Sequence, residues 1–189
     1  MKWNEYENNY IQMAKMQGKS EEYCIQQLKY ARKLFDNNFP IIYNPLHFCK
    51  LVGYTEEYVF AACNQPKSFY RTFFIPKRNG KKRKIDEPLP SLKEIQNWIY
   101  QEILCNVKIS SYAKAYVKGK SIKDNARFHK RQKIVLSMDI KDFFPSIGFK
   151  QILNVFRNIG YRENVAVLLA NLCCLNNSLP QGAPTSPIL

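Results

Sequence analysis

Val135-Leu-Ser-Met-Asp139-Ile-Lys-Asp142-Phe-Phe144-Pro145-Ser-Ile147 is the stretch on which the reading of this chain turns. Val135 to Met138 are mostly apolar and begin with a β-branched residue, which predicts a buried strand. The run then passes straight into a carboxylate, two aromatics and a proline that cannot continue a strand. Burying a lone carboxylate is costly, so Asp139 at the strand end requires a cation, a hydrogen-bond cluster or an open cleft. Two readings meet that requirement. One is a metal site, because Mg²⁺ is commonly held by one or two carboxylates plus substrate phosphates, as suits phosphoryl transfer on nucleotides. The other is a strand-terminal Asp that caps a turn.

The rest of the composition narrows the partners. A chain of 189 residues with 46% hydrophobic and 14% aromatic content is long enough to bury a core. A net charge of +14 favours a polyanionic partner, nucleic acid before membrane. The most apolar run, Val165 to Leu175, is too short to span a bilayer and is broken by Asn171, so it predicts a core helix. The N-terminus lacks the basic-then-apolar order of a signal peptide, and an intracellular, cytoplasmic protein is expected. Cys24, Cys49, Cys63, Cys105, Cys173 and Cys174 show no Cys-x-x-Cys spacing, which predicts reduced thiols rather than a zinc site. Adjacent Cys173 and Cys174 are expected to face the core and the periphery of one helix.

Taken in order, residues 1–36 repeat apolar positions every three or four residues and are split by Gly18 and Ser20 into two helices, with Ser20 as N-cap. A short helix closed by Gly53 and another opened by Thr55 follow. His47 lies on a half-apolar helix with no second ligand nearby and reads as a satisfied histidine. From Phe69 the period changes. Phe69 to Pro76 and Arg83 to Asp86 predict a hairpin about an Asn-Gly turn, whose tip holds five cations in the seven residues Lys77 to Arg83. Such a tip is either a solvated loop or a mobile clamp for a triphosphate.

Ser91 is expected to cap a helix with Leu92, Ile95, Trp98, Ile99 and Ile103 on its apolar face and Gln96 on its flank. Lys114, Lys118, Lys120, Lys123, Arg127, Lys130, Arg131 and Lys133 then alternate with Tyr112, Tyr116 and Phe128. This pattern suits base stacking with phosphate tracking, and equally an exposed helix near Ser121 to His129 whose aromatics form its core face. Ser146 can cap a helix that Gly160 ends. The closing stretch, Leu179-Pro-Gln181-Gly182-Ala-Pro184-Thr-Ser186-Pro187, is a shaped loop in which Gly182 permits close backbone approach.

Five segments stand in one order: Lys77-x-x-Gly80-x-x-Arg83-x-Ile85-x-x-Pro88, Leu92-x-x-x-Gln96, Ser121-Ile-x-x-Asn125-Ala126-x-x-His129, the Asp139 stretch, and Leu-Pro-Gln181-Gly182-Ala-Pro-x-Ser186-Pro187. Together, over about residues 69–189, they resemble bacterial reverse transcriptases, most closely the retron type. The resemblance implies an α+β right-hand polymerase fold: a helical N-terminal extension (1–68), fingers (69–134) and the first part of the palm (135–189). It implies that Asp139 and the backbone carbonyl of Ile140 ligate catalytic Mg²⁺, or Mn²⁺ in its place. Phe144 would be the steric gate against a ribose 2′-hydroxyl, Lys77 and Arg83 would bind the triphosphate, and Gln181 with Gly182 would line the dNTP pocket. Lys118, Lys120, Asn125, His129 and Arg131 would contact nucleic acid, and Asp142 would hold the turn rather than a metal.

The activity so implied is RNA-directed DNA synthesis on a structured non-coding RNA, giving a DNA/RNA hybrid product in phage defence, with an accessory defence protein as a further partner and no membrane. An intron-encoded or other defence-associated reverse transcriptase shares this chemistry. The family's Tyr-x-Asp-Asp hairpin is not among the 189 residues, so the chain is expected to be a fragment, inactive by itself; a non-catalytic RNA-binding module is the reading of a different class.

Overall fold

The apolar run at Val165 is where the core forms. The computed structural model of the protein describes residues 2–77, 80–117, 119–127 and 129–189. In it the helix α9 (Glu163–Cys173) is buried nearly all round, through Val165, Ala166, Leu168, Leu169, Ala170, Leu172 and Cys173. Helices α3 (Pro45–Val52), α4 (Glu56–Asn64), α5 (Pro90–Trp98) and α8 (Phe149–Ile159) pack around it. A helix that is apolar on every face can be stable in water only when enclosed in this way. Cys173 and Cys174 are both buried, not one in and one out, because the helix ends at Cys173 and Cys174 turns inward as its C-cap.

Ser20, Gly53 and Thr55 mark N-terminal helix boundaries as expected. Ser20 Oγ accepts the Tyr23 N–H at 3.2 Å, separating α1 (Trp3–Met16) from α2 (Glu21–Asp36). Asn44 Oδ1 caps α3 by accepting the His47 N–H at 2.8 Å, and Gly53 closes it in the left-handed conformation. Thr55 caps α4.

Strands β1 (Tyr70–Pro76) and β2 (Lys82–Pro88) pair antiparallel, with Thr72 opposite Asp86 and Ile75 opposite Arg83. The tip is exposed, while Ile85 to Pro88 sink toward the core. Gly80 takes a positive φ of 77°, as the turn demands, and its neighbours Arg78 and Asn79 in the expected Asn-Gly turn lie outside the described residues. Two expected caps are displaced. Helix α5 starts two residues early, on Pro90 with Leu89 before it, so Ser91 sits inside the first turn. Helix α8 is capped at Gly148, whose N–H donates to Gln151 Oε1 at 2.8 Å. Ser146 instead ends the short helix α7 (Phe143–Ser146), where its hydroxyl donates to the Phe143 carbonyl.

The largest departure is at the stretch that led the sequence reading. Residues 134–140 have no regular structure, and Ile134, Leu136 and Met138 are 88%, 77% and 84% exposed. A strand exists only where a neighbouring backbone completes its hydrogen bonds, and among the described residues the sole ladder is β1 with β2. The sequence has strand composition here, but no described backbone pairs with it. None of the described residues from Lys108 to Asp142 is buried. The molecule is thus helix-rich with one two-stranded sheet, and no helix among the described residues is long and apolar enough to cross a membrane.

Candidate functional site

Two backbone hydrogen bonds from the closing loop frame the site. The Leu179 N–H donates to the Ile147 carbonyl at 3.1 Å, and the Gln181 carbonyl accepts the Asp86 N–H at 2.9 Å. The segment 179–181 is therefore a strut between the end of α7 and strand β2. Phe144 lies on the α7 side, half-buried against the core and edge-on to Phe143 at 5.5 Å. Arg83 lies on the β2 side, three residues up the strand from Asp86, or about 10 Å at strand rise.

Gly182 explains why the strut ends in glycine. Its φ is +133°, and a Cβ there would stand 2.9 Å from Ile85 Cγ2 and 3.0 Å from the Asp86 carbonyl oxygen. The loop lies directly on the β2 backbone, which no side chain at this position would permit. Ser186 fixes the far end by donating its hydroxyl to the Pro180 carbonyl at 2.7 Å.

The base of the hairpin is held by paired charges. Thr72 Oγ1 donates to Asp86 Oδ1 at 2.6 Å, and Lys84 approaches the same carboxylate at 3.0 Å. Glu87 lies between Lys93 and Arg71, whose hydrogen bonds hold its carboxyl below the usual range. Beneath them Gln96, expected on a flank, is wholly buried. Its Nε2 donates to Tyr70 Oη and to the Leu172 carbonyl, both at 2.7 Å, and so joins hairpin, α5 and α9. No sequence period exposes this role, because a buried glutamine is recognised only by the partners brought to it. Replacing Gln96 with leucine is expected to lower unfolding free energy by about 1–3 kcal/mol, read from urea denaturation, since it strands a buried carbonyl.

The remaining expected site residues are at the surface. Asp139, Ile140, Lys77, Lys120, Asn125, His129 and Arg131 are exposed, and Lys118 lies outside the described residues. Helix α6 (Ile122–Arg127) is a short exposed turn in which Asp124 Oδ2 accepts from both the N–H and the hydroxyl of Ser121 at 2.8 Å. Those bonds hold the Asp124 carboxyl below its ordinary range. Tyr112 and Tyr116 are exposed rather than packed as the core face of a helix, and Phe128 lies outside the described residues.

A carboxylate at Asp139 followed by the Ile140 carbonyl is a pair of hard oxygen donors, chemically suited to Mg²⁺. Among the described residues no three acids, histidines or cysteines group as a metal site. The pair fits a share of a divalent-cation site and does not complete one. Asp142 adopts a left-handed backbone and its carbonyl accepts the Ser146 N–H, which suits a turn residue.

The closing loop is thus pressed onto the basic hairpin, with Phe144 on its other flank. The profile of the reverse transcriptase (RNA-dependent DNA polymerase) family matches residues 75–189, and the chain belongs to that family. Among curated proteins it is similar to the retron Ec86 reverse transcriptase of Escherichia coli, 36% identical over 122 residues, covering 64% of this chain and 38% of that protein. It is also similar to the retron Mx162 and Mx65 reverse transcriptases of Myxococcus xanthus, at 35% and 32% identity; these cover 62% and 73% of this chain, and 28% and 36% of those proteins. The chain thus spans well under half the length of these relatives.

Proposed function

We propose that this chain is part of a retron-type RNA-directed DNA polymerase, in which a primer hydroxyl attacks the α-phosphate of a dNTP paired to an RNA template. The observation that carries the reading is the seating of Gln181 and Gly182 on β2, which joins the expected dNTP-pocket loop to the strand bearing Arg83. Arg83 and Lys77 would grip the triphosphate as the hairpin closes, with the guanidinium forking onto phosphate oxygens. Phe144, braced by Phe143 and the core, would stand against the sugar and exclude a 2′-hydroxyl.

Asp139 and the Ile140 carbonyl would hold a divalent cation, Mg²⁺ or Mn²⁺. The chemistry that such an ion supplies is charge stabilisation at the attacking and leaving oxygens. Further carboxylates would come from outside these 189 residues, in keeping with the greater length of the relatives. In this reading residues 1–68 are a helical extension, 69–134 the fingers and 135–189 the first part of the palm. The exposed ribbon 134–141 would be a palm strand whose partners lie elsewhere in the full-length protein. The template would be a structured non-coding RNA, and the setting cytoplasmic phage defence with an accessory protein.

Primer extension on an RNA template with dNTPs and Mg²⁺, run in parallel on this chain and on the full-length protein, tests the proposal. DNA synthesis by the full-length protein is the expected result. RNA binding without synthesis in either would leave an RNA-binding module built on polymerase fingers. Phe144→Ala is expected to raise ribonucleotide incorporation about ten-fold or more, since one excluded polar group is commonly worth that much; unchanged discrimination removes Phe144 as the gate. RNA affinity is expected to fall with salt at a log–log slope of about −0.7 per phosphate contact on single strands, and a flat dependence would count against the basic surfaces.

A further inference from the structure

The N-terminal helices, outside the family match, build a pocket that the polymerase reading does not use. Helices α1, α2 and α3 and the segment leading into α3 line an open cleft of 510 Å³ walled by Tyr6, Tyr10, Tyr23, Tyr43 and His47. The rings are ordered against one another. Tyr6 and Tyr10 stack with centroids 6.4 Å apart, Tyr10 meets Tyr43 at 5.5 Å, and Tyr43 stacks on His47 at 5.7 Å and 25°. The Tyr6 and Tyr43 hydroxyls share a hydrogen bond of 2.6 Å.

The walls are neutral. His47 Nδ1 accepts the Tyr43 N–H at 3.3 Å, which places the proton of the neutral ring on Nε2, and burial with nearby Lys50 holds its pKa down. Burial pushes the Tyr10 phenol up to about 12 and raises Tyr6 and Tyr43 as well. Two cations stand near wall residues: the Lys50 charge acts on His47, and Lys19 Nζ stands 5.7 Å from the Tyr23 ring. The pocket is open, with Tyr23 and Leu51 each 41% exposed.

Aromatic walls with polar tips suit the flat face of a base, and lysines near those walls suit the phosphates on either side of it. We propose that this pocket binds an unpaired base of single-stranded RNA, at a site built from none of the residues of the hairpin, α6 or the Gln181 loop. The nearby Lys19 and Lys50 and the chain's charge of +14 favour a nucleic acid over an apolar peptide. This inference rests on the RNA-directed reading above and extends it to a second point of contact.

The test is photo-crosslinking of the protein to an oligouridylate carrying 4-thiouridine, with the crosslinked peptides mapped by mass spectrometry. Its companion is the oligouridylate affinity of Tyr10→Leu and Tyr10→Phe. Crosslinks at Tyr10, Tyr23 or Tyr43 are expected, with affinity lowered about five-fold or more by Tyr10→Leu and nearly unchanged by Tyr10→Phe, which keeps the ring. The crosslink map comes from unmutated protein and stands even if the leucine variant misfolds. Crosslinks confined to the hairpin and residues 112–131, with full affinity in folded Tyr10→Leu, overturn the pocket and leave the RNA-directed reading intact. Failure of the unmutated protein to bind oligouridylate at low salt overturns that reading and the pocket with it.

Discussion

Asp139→Ala in the full-length protein is expected to lower DNA synthesis by at least ~10³-fold, because it removes a carboxylate that would hold the cation at the reacting phosphate. RNA binding should change only a few-fold, since Asp139 is exposed and belongs to none of the basic segments. Primer extension and an RNA gel shift on one preparation read both quantities. In the 189-residue chain, where Asp139 is exposed, the same substitution should leave the denaturation midpoint in place. Polymerisation that survives the change would remove Asp139 from the metal site.

The second large effect is structural. Gly182→Ala places a methyl group 2.9 Å from Ile85 Cγ2 and 3.0 Å from a backbone oxygen of Asp86, at a φ of +133° that L-residues rarely adopt. A cost of about 2–4 kcal/mol in stability is expected, combining backbone strain with weakening of the Asp86–Gln181 hydrogen bond. Gly53→Ala is the control. It too has a positive φ, of 74°, but nothing lies within 4 Å of its added Cβ, so it should cost only the left-handed strain of about 1–2 kcal/mol. Equal shifts in the two urea midpoints would mean that the loop does not bear on β2. In the full-length protein the Gly182 variant should also raise KM for dNTPs if the proposed site holds, because the strut that would position the dNTP pocket against the hairpin is displaced.

Local rules carried the sequence reading far in the N-terminal helices and the hairpin. Ser20 and Thr55 have short oxygen-bearing side chains just ahead of helical periods, and each caps its helix. The hairpin followed from β-branched and aromatic runs around an Asn-Gly pair. The order of motifs was enough to recognise the family to which the chain belongs, and it made Gln181, Gly182 and Arg83 expected site residues. Their juxtaposition was not legible, nor was the burial of Gln96, because both depend on which carbonyl or strand arrives from a distant part of the chain.

What the sequence by itself determined are the properties encoded within a few residues: helix ends, the basic tip, the core helix at Val165 and the motif series of a reverse transcriptase. Only the tertiary structure decided that Gly182 lies against β2, that Cys174 faces inward, that the tyrosines of α1 and α2 line an open cleft, and that residues 134–140 run exposed. The physical reason is that capping and turn formation satisfy backbone groups locally, whereas a strand and a buried amide are completed by partners far along the chain.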